Sequence, residues 1–188
     1  MRNAKPLALC LSMLFGLTAL AADPTASSPA ASSAVASVQP LGGGTAKGTV
    51  QFTQLDHGVR IQAEITGLTP GKHGFHIHEF GDCSAADGSS AGGHFNPGAN
   101  AHGGPEAPMS HAGDYGNLDA DAGGRAALTL ISHRITLGQS ATGVLGRSVI
   151  VHEKTDDLTS QPAGNAGPRI GCGVIMLLGA PTTPVLKR

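Results

Sequence analysis

Apolar and polar residues alternate one for one through the middle of this chain. Val59, Ile61, Ala63 and Ile65 are separated by Arg60, Gln62 and Glu64, and Val50 and Phe52 stand in the same relation to their polar neighbours. A period of two marks a strand with one face against a core. Asp56-His57-Gly58 between the two runs predicts a hairpin turn. Leu68-Thr69-Pro70-Gly71 predicts a second turn, leading into a strand through His76. Further runs at 126–130, 148–152 and 170–178, with weaker ones at 34–41 and 114–119, bring the count to about eight strands. That number of short strands predicts an all-β domain, an antiparallel sandwich or barrel.

Two long segments, 83–113 and 156–169, refuse the pattern. Structureless connections of that length in a compact domain are either functional or evidence of a wrong strand assignment. The rest of the composition agrees with short strands and turns: 188 residues contain 28 Gly and 12 Pro, no Trp and a single Tyr. Charge is low and balanced, with 12 basic against 13 acidic residues, which gives a nucleic-acid role no support.

The first residues change the picture of where the chain works. Arg2 and Lys5 precede an uncharged, mostly apolar run over 6–20, and Ala19-Leu20-Ala21 has the small-x-small spacing a signal peptidase accepts. The expectation is a signal peptide over 1–21, cleaved after Ala21, then a flexible Ala/Ser/Pro linker over 22–33, one domain over 34–180 and a tail over 181–188. The apolar run is short for a bilayer span, and bulky Leu9 before Cys10 disfavours a lipid anchor. The mature chain is therefore expected to be exported, periplasmic or extracellular, with no membrane attachment. Cleavage removes Arg2, Lys5 and Cys10, leaving a net charge near −3 and two cysteines, Cys83 and Cys172. In an exported protein such a pair reads as one disulfide; two metal thiolates are the alternative, without the close Cys-x-x-Cys neighbour of a zinc site.

Candidate chemistry lies in the histidines. His76 and His78 are two apart on a predicted strand, so they share a face while Phe75 and Ile77 take the other. Two imidazoles a few ångströms apart suit copper or zinc. The first irregular segment contributes His94, His102, His111 and Asp114, three imidazoles and a carboxylate that would close a tetrahedral site and order a Gly- and Pro-rich loop. His152 ends the run Ser148-Val-Ile-Val-His. His57 and His133 read as surface residues, and His73 as structural.

Gly-Phe-His-Ile-His-Glu-Phe-Gly-Asp, His-Phe-Asn-Pro, His-Gly-Gly-Pro, His-Ala-Gly-Asp-Tyr-Gly-Asn, Val-His-Glu-Lys-Thr-Asp-Asp and Gly-Asn-Ala-Gly-Pro-Arg with Cys-Gly-Val-Ile follow one another in the order of the copper/zinc superoxide dismutases, which this sequence closely resembles over 34–178. The resemblance implies an eight-stranded antiparallel Greek-key sandwich or barrel with two long functional loops. It further implies one copper held by His76, His78, His94 and His152, and one zinc held by His94, His102, His111 and Asp114, with the His94 imidazolate shared between them. Asp156 would accept hydrogen bonds from one ligand of each metal. Arg169 would guide a small anion to the copper, and His94 would supply a proton. The implied reaction is disproportionation of superoxide to oxygen and hydrogen peroxide, protecting the cell envelope. An exported metal carrier could use the same ligands without turnover, but it would have no need of Arg169 and its preceding loop.

One place departs from the family. Between Asp157 and Gly164 the chain reads Leu-Thr-Ser-Gln-Pro-Ala, shorter than the charged guiding loop of animal members and without its acids and lysine. Phe80-Gly81, Leu145-Gly146-Arg147 and Val174-Ile175-Met176 match segments of the two-fold interface of eukaryotic-type members. They raise the expectation of a homodimer that covers an apolar patch.

Overall fold

A computed structural model describes Met1 and residues 32–178. The expected signal peptide with Cys10, the linker up to residue 31 and the tail over 181–188 lie outside the described residues. Eight strands follow in chain order: β1 Ser33–Pro40, β2 Lys47–Leu55, β3 Gly58–Thr66, β4 Gly71–His78, β5 Asp114–Ala120, β6 Ala126–Ser132, β7 Ser148–His152 and β8 Arg169–Leu177. Each pairs antiparallel with its neighbours in the order β5-β4-β7-β8-β1-β2-β3-β6. The two end strands, β5 and β6, approach each other without a ladder, so the sheet curls into a nearly closed barrel. Between β3 and β4 the chain crosses from one half of the barrel to the other, as a Greek key requires.

Alternation places the core. Val59, Ile61, Ala63 and Ile65 of β3 are buried with polar residues between them, opposite Val50 and Phe52 of β2. A fully buried Phe or Ile side chain contributes about 1.5–3 kcal/mol relative to exposure, so these strands hold their register firmly. β4 and β7 behave differently, because both of their faces are buried. Phe75 and Ile77 of β4, with Val149 and Val151 of β7, fill the barrel interior. His76, paired with Ile150, and His78 stand on the outer face. Ile150 packs there with Ala91 and Cys172 in a separate cluster flanked by Leu41 and Cys83.

The long β4–β5 connection covers that outer face. Its only regular piece is the short 3-10 turn Ser89–Ala91. A disulfide from Cys83 to Cys172 of β8 ties it down, with Cα atoms 5.8 Å apart across 89 residues of sequence. Closing a loop of that length removes about 4–5 kcal/mol of unfolded-state freedom in the chain-entropy picture.

The expected apolar patch needs one correction. Phe80 and Met176 are well exposed, as are Leu177 and Leu178, but Ile175 is wholly buried in the barrel core. β8 alternates there, turning Ile175 inward and Met176 out.

Candidate metal centre

Backbone pairing aims the first histidines. His76 and His78 leave the same face of β4 with ring centroids 6.3 Å apart. Residues 93–95 run alongside as a partial extra strand: His78 and His94 form an isolated bridge, Glu79 N–H donates to Gly93 O at 3.0 Å and Phe95 N–H to Ile77 O at 2.8 Å. The His94 ring thereby stacks on His76 at 4.0 Å between centroids. A register shift between Val151 and His152 lets the end of β7 turn His152 onto the same outer face, 5.0 Å from His76.

Two four-residue groups result, each with ligand-type atoms within 4.8 Å of one another and every member buried: His76, His78, His94 and His152, and His94, His102, His111 and Asp114. His94 belongs to both. The structure thus brings together all seven residues singled out as ligands in the sequence, and it places His73 outside both groups. His73 instead bridges the Thr69 carbonyl and the His152 carbonyl, each at 2.8 Å.

The hydrogen bonds decide which nitrogens are free. His76 donates from Nε2 to Asp156 Oδ2 at 2.7 Å, and His102 from Nε2 to Asp156 Oδ1 at 2.9 Å. His78 and His152 donate from Nδ1 to the carbonyls of Gly92 and Gly167, each at 3.0 Å. A donated proton on one ring nitrogen leaves a lone pair on the other. Six buried ring nitrogens make no hydrogen bond: His76 Nδ1, His78 Nε2, His94 Nε2 and His152 Nε2 in one group, and, close to the Asp114 carboxylate, His102 Nδ1 and His111 Nδ1 in the second. Buried nitrogens left without a proton donor are costly unless a cation satisfies them, so the donor set fits two metals.

Asp114 completes the second group. Its carboxylate lies 2.8 Å from His94 Nδ1, 3.1 Å from His102 Nδ1 and 3.2 Å from His111 Nδ1. Burial would raise its pKa, but hydrogen bonds from His94 and the Gly103 N–H outweigh that and hold it below the ordinary value. Burial, reinforced by the neighbouring rings, lowers His76 and His78 well below 6.5 and His152 to about 4. Neutral imidazoles are the form that binds a metal.

Arg169 stands beside the first group, where its charge further disfavours protonation of His78 and His152. Its guanidinium donates to the Gly88 and Gly92 carbonyls, the latter at 2.7 Å. Gly92 O also receives the His78 proton, so one carbonyl orients both residues.

Three supporting residues were not singled out from the sequence. Asn117 forms a reciprocal pair with the Asp156 backbone, at 2.8 and 3.0 Å. Arg134 reaches from the end of β6 to Ser110 Oγ and, at 3.1 Å, to the Asp114 carbonyl. Gln161 pairs with the backbone of His102. Asn117 lies inside the Asp-Tyr-Gly-Asn motif and could have been found there; the other two belong to no pattern. Gly164 has a positive φ of 68°, and a Cβ there would collide with Asp156 Oδ1 and the His102 ring, so only glycine lets Asp156 approach.

Comparison with known proteins agrees over most of the chain. The sequence model of the family described as copper/zinc superoxide dismutase matches residues 46–175. A Cu-Zn superoxide dismutase of Paramecium bursaria Chlorella virus 1 is 46% identical over 140 residues, which are 70% of this chain and 73% of that protein. The crystal structure of the clock protein EA4 superposes with a TM-score of 0.72 at 40% identity, covering 81% of this chain and 98% of that one.

Proposed function

Because the chain belongs to the copper/zinc superoxide dismutase family, we propose that its histidine groups divide between the two metals, copper on His76, His78, His94 and His152, and zinc on His94, His102, His111 and Asp114. It is an enzyme that disproportionates superoxide, with copper and zinc as cofactors. The observation that carries the division is the set of six unpartnered ring nitrogens, four aimed into one group and two into the other. The all-imidazole group suits copper, and the mixed imidazole and carboxylate group suits zinc.

Copper supplies the one-electron chemistry when bound, and redox-silent zinc supplies charge and order. The protein's own residues do the rest. Asp156 fixes the His76 and His102 rings together, so neither group can shift without the other. Arg169 has used two of its five donors on loop carbonyls, which locks its guanidinium beside His78 and His152 with charge to attract and orient a small anion. His94 Nε2 can hold a proton whenever that nitrogen is not ligating, and from there give it to the reduced substrate.

The leader sequence supports export, and with it a role in protecting the cell envelope from superoxide; amino-terminal sequencing of exported material should begin at Ala22. Exposed Phe80, Met176 and Leu178 support association into a symmetric homodimer. Anomalous scattering at the copper and zinc edges from metal-loaded crystals tests the division of ligands. Copper alone at the His76 group and zinc alone at the His111 group is the expected result; mixed or exchanged occupancy would refute it.

A further inference from the structure

The loop between β7 and β8, whose stretch 158–163 lacks the acids and lysine of animal members, makes a set of contacts that steering does not require. Gln161 donates from Nε2 to the His102 carbonyl at 2.9 Å and accepts the His102 N–H at Oε1 at 2.8 Å. This reciprocal pair is what an adjacent strand would give, yet it is made by one side chain 59 residues away. The loop braces itself to present it. Asp157 Oδ1 accepts the N–H groups of Thr159 and Ser160 at 2.9 and 2.7 Å, Asn165 donates to Asp157 Oδ2 at 3.1 Å and to Ser160 Oγ at 2.8 Å, and Gln161 Nε2 also reaches the Thr159 carbonyl at 3.1 Å. The same loop end carries Asp156, which holds the His102 ring. His102 is therefore gripped at backbone and ring from one side, while its own loop is irregular.

Resting on the assignment of zinc to His94, His102, His111 and Asp114, we infer that Gln161 is a positioning residue that sets His102 in place before the metal arrives. Ordering a residue of a free loop costs conformational entropy, and a clamp that has already fixed it removes that cost from metal binding. The β7–β8 loop then serves the zinc group as a brace.

The test uses the whole chain. In metal-free protein, Gln161→Ala should speed hydrogen exchange of the His102 amide at least tenfold, and in loaded protein it should speed zinc transfer to a chelator about 10- to 100-fold, with copper retention unchanged. Gln161→Glu keeps the acceptor for the His102 N–H but turns a carboxylate on the His102 carbonyl. It should preserve the amide protection and still release zinc faster, and it serves also if the alanine variant folds poorly. Exchange and zinc release within twofold of the parent in both variants would overturn the role of Gln161. His102→Ala is measured alongside: if it leaves zinc retention intact, the zinc assignment itself fails, whereas zinc loss in His102→Ala without any effect of the Gln161 variants refutes only the clamp.

Discussion

Replacing Asp156 with Asn removes one charge and almost no volume from the point where the two metal groups meet. The carboxylate accepts the His76 ring proton at 2.7 Å and the His102 ring proton at 2.9 Å, and it is buried with both rings. An amide has one oxygen, so in either orientation one ring N–H faces an NH2 group. Hydrogen bonds to a charged partner contribute roughly 1.5–3 kcal/mol each, so losing one should weaken metal binding about 10- to 100-fold. The loss should fall unequally. His76 sits on β4, held by ladders to β5 and β7, whereas His102 sits in an irregular loop. The ring that gives way is His102, and zinc affinity should fall further than copper affinity. Competition titrations with chromophoric chelators on parent and Asp156→Asn, one metal at a time, read this directly. Affinities of both metals within twofold of the parent would refute the bridging role, and a loss confined to copper would refute the reasoning about which ring is less supported.

Arg169→Ala should leave both metals bound, since the side chain touches only loop carbonyls, but slow turnover about tenfold at low salt and flatten the ionic-strength dependence; an unchanged rate at low salt would contradict the guiding role. Metal-free protein should lose stability in mild acid. His152 has its pKa lowered by burial to about 4, so between pH 6.5 and 4 the unfolded chain binds a proton that the folded chain does not, and stability falls as pH falls through that window. Urea unfolding at pH 4.5 should give roughly 2–3 kcal/mol less stability than at pH 7 from this group alone, and equal values would contradict it. Met176→Glu, at an exposed position beside buried Ile175, should convert the mass seen by light scattering from two chains to one without loss of fold; a parent already at one chain's mass would refute the dimer.

Much of the site was legible because strand periodicity is local. His76 and His78 had to share a face once 71–78 was a strand, and the structure places that face outside the barrel under the long loop. The eight strands were also readable, including the weak ones at β1 and β5, whose alternation is diluted by Ala and Gly. His94, His102, His111 and Asp114 were recognisable from residue type and motif, but their convergence was not, because it depends on the partial strand at 93–95 and on Asp156, 54 residues from His102. Gln161 and Arg134 were invisible for the same reason. Gln161 acts through the backbone of His102, and Arg134 through the Asp114 carbonyl and the Ser110 hydroxyl; a hydrogen bond to backbone leaves no mark on the partner's residue type. Ile175 shows the limit of segment matching: alternation along β8 separates it from Met176, one residue on.

The most direct measurement is superoxide consumption by the purified chain at known metal content. With copper and zinc each bound at one per chain, superoxide consumption should persist in excess EDTA, which silences free copper, and should disappear when His152→Ala empties the copper group. A fully loaded chain that consumes no superoxide in the presence of EDTA would contradict the assignment of dismutation to this site.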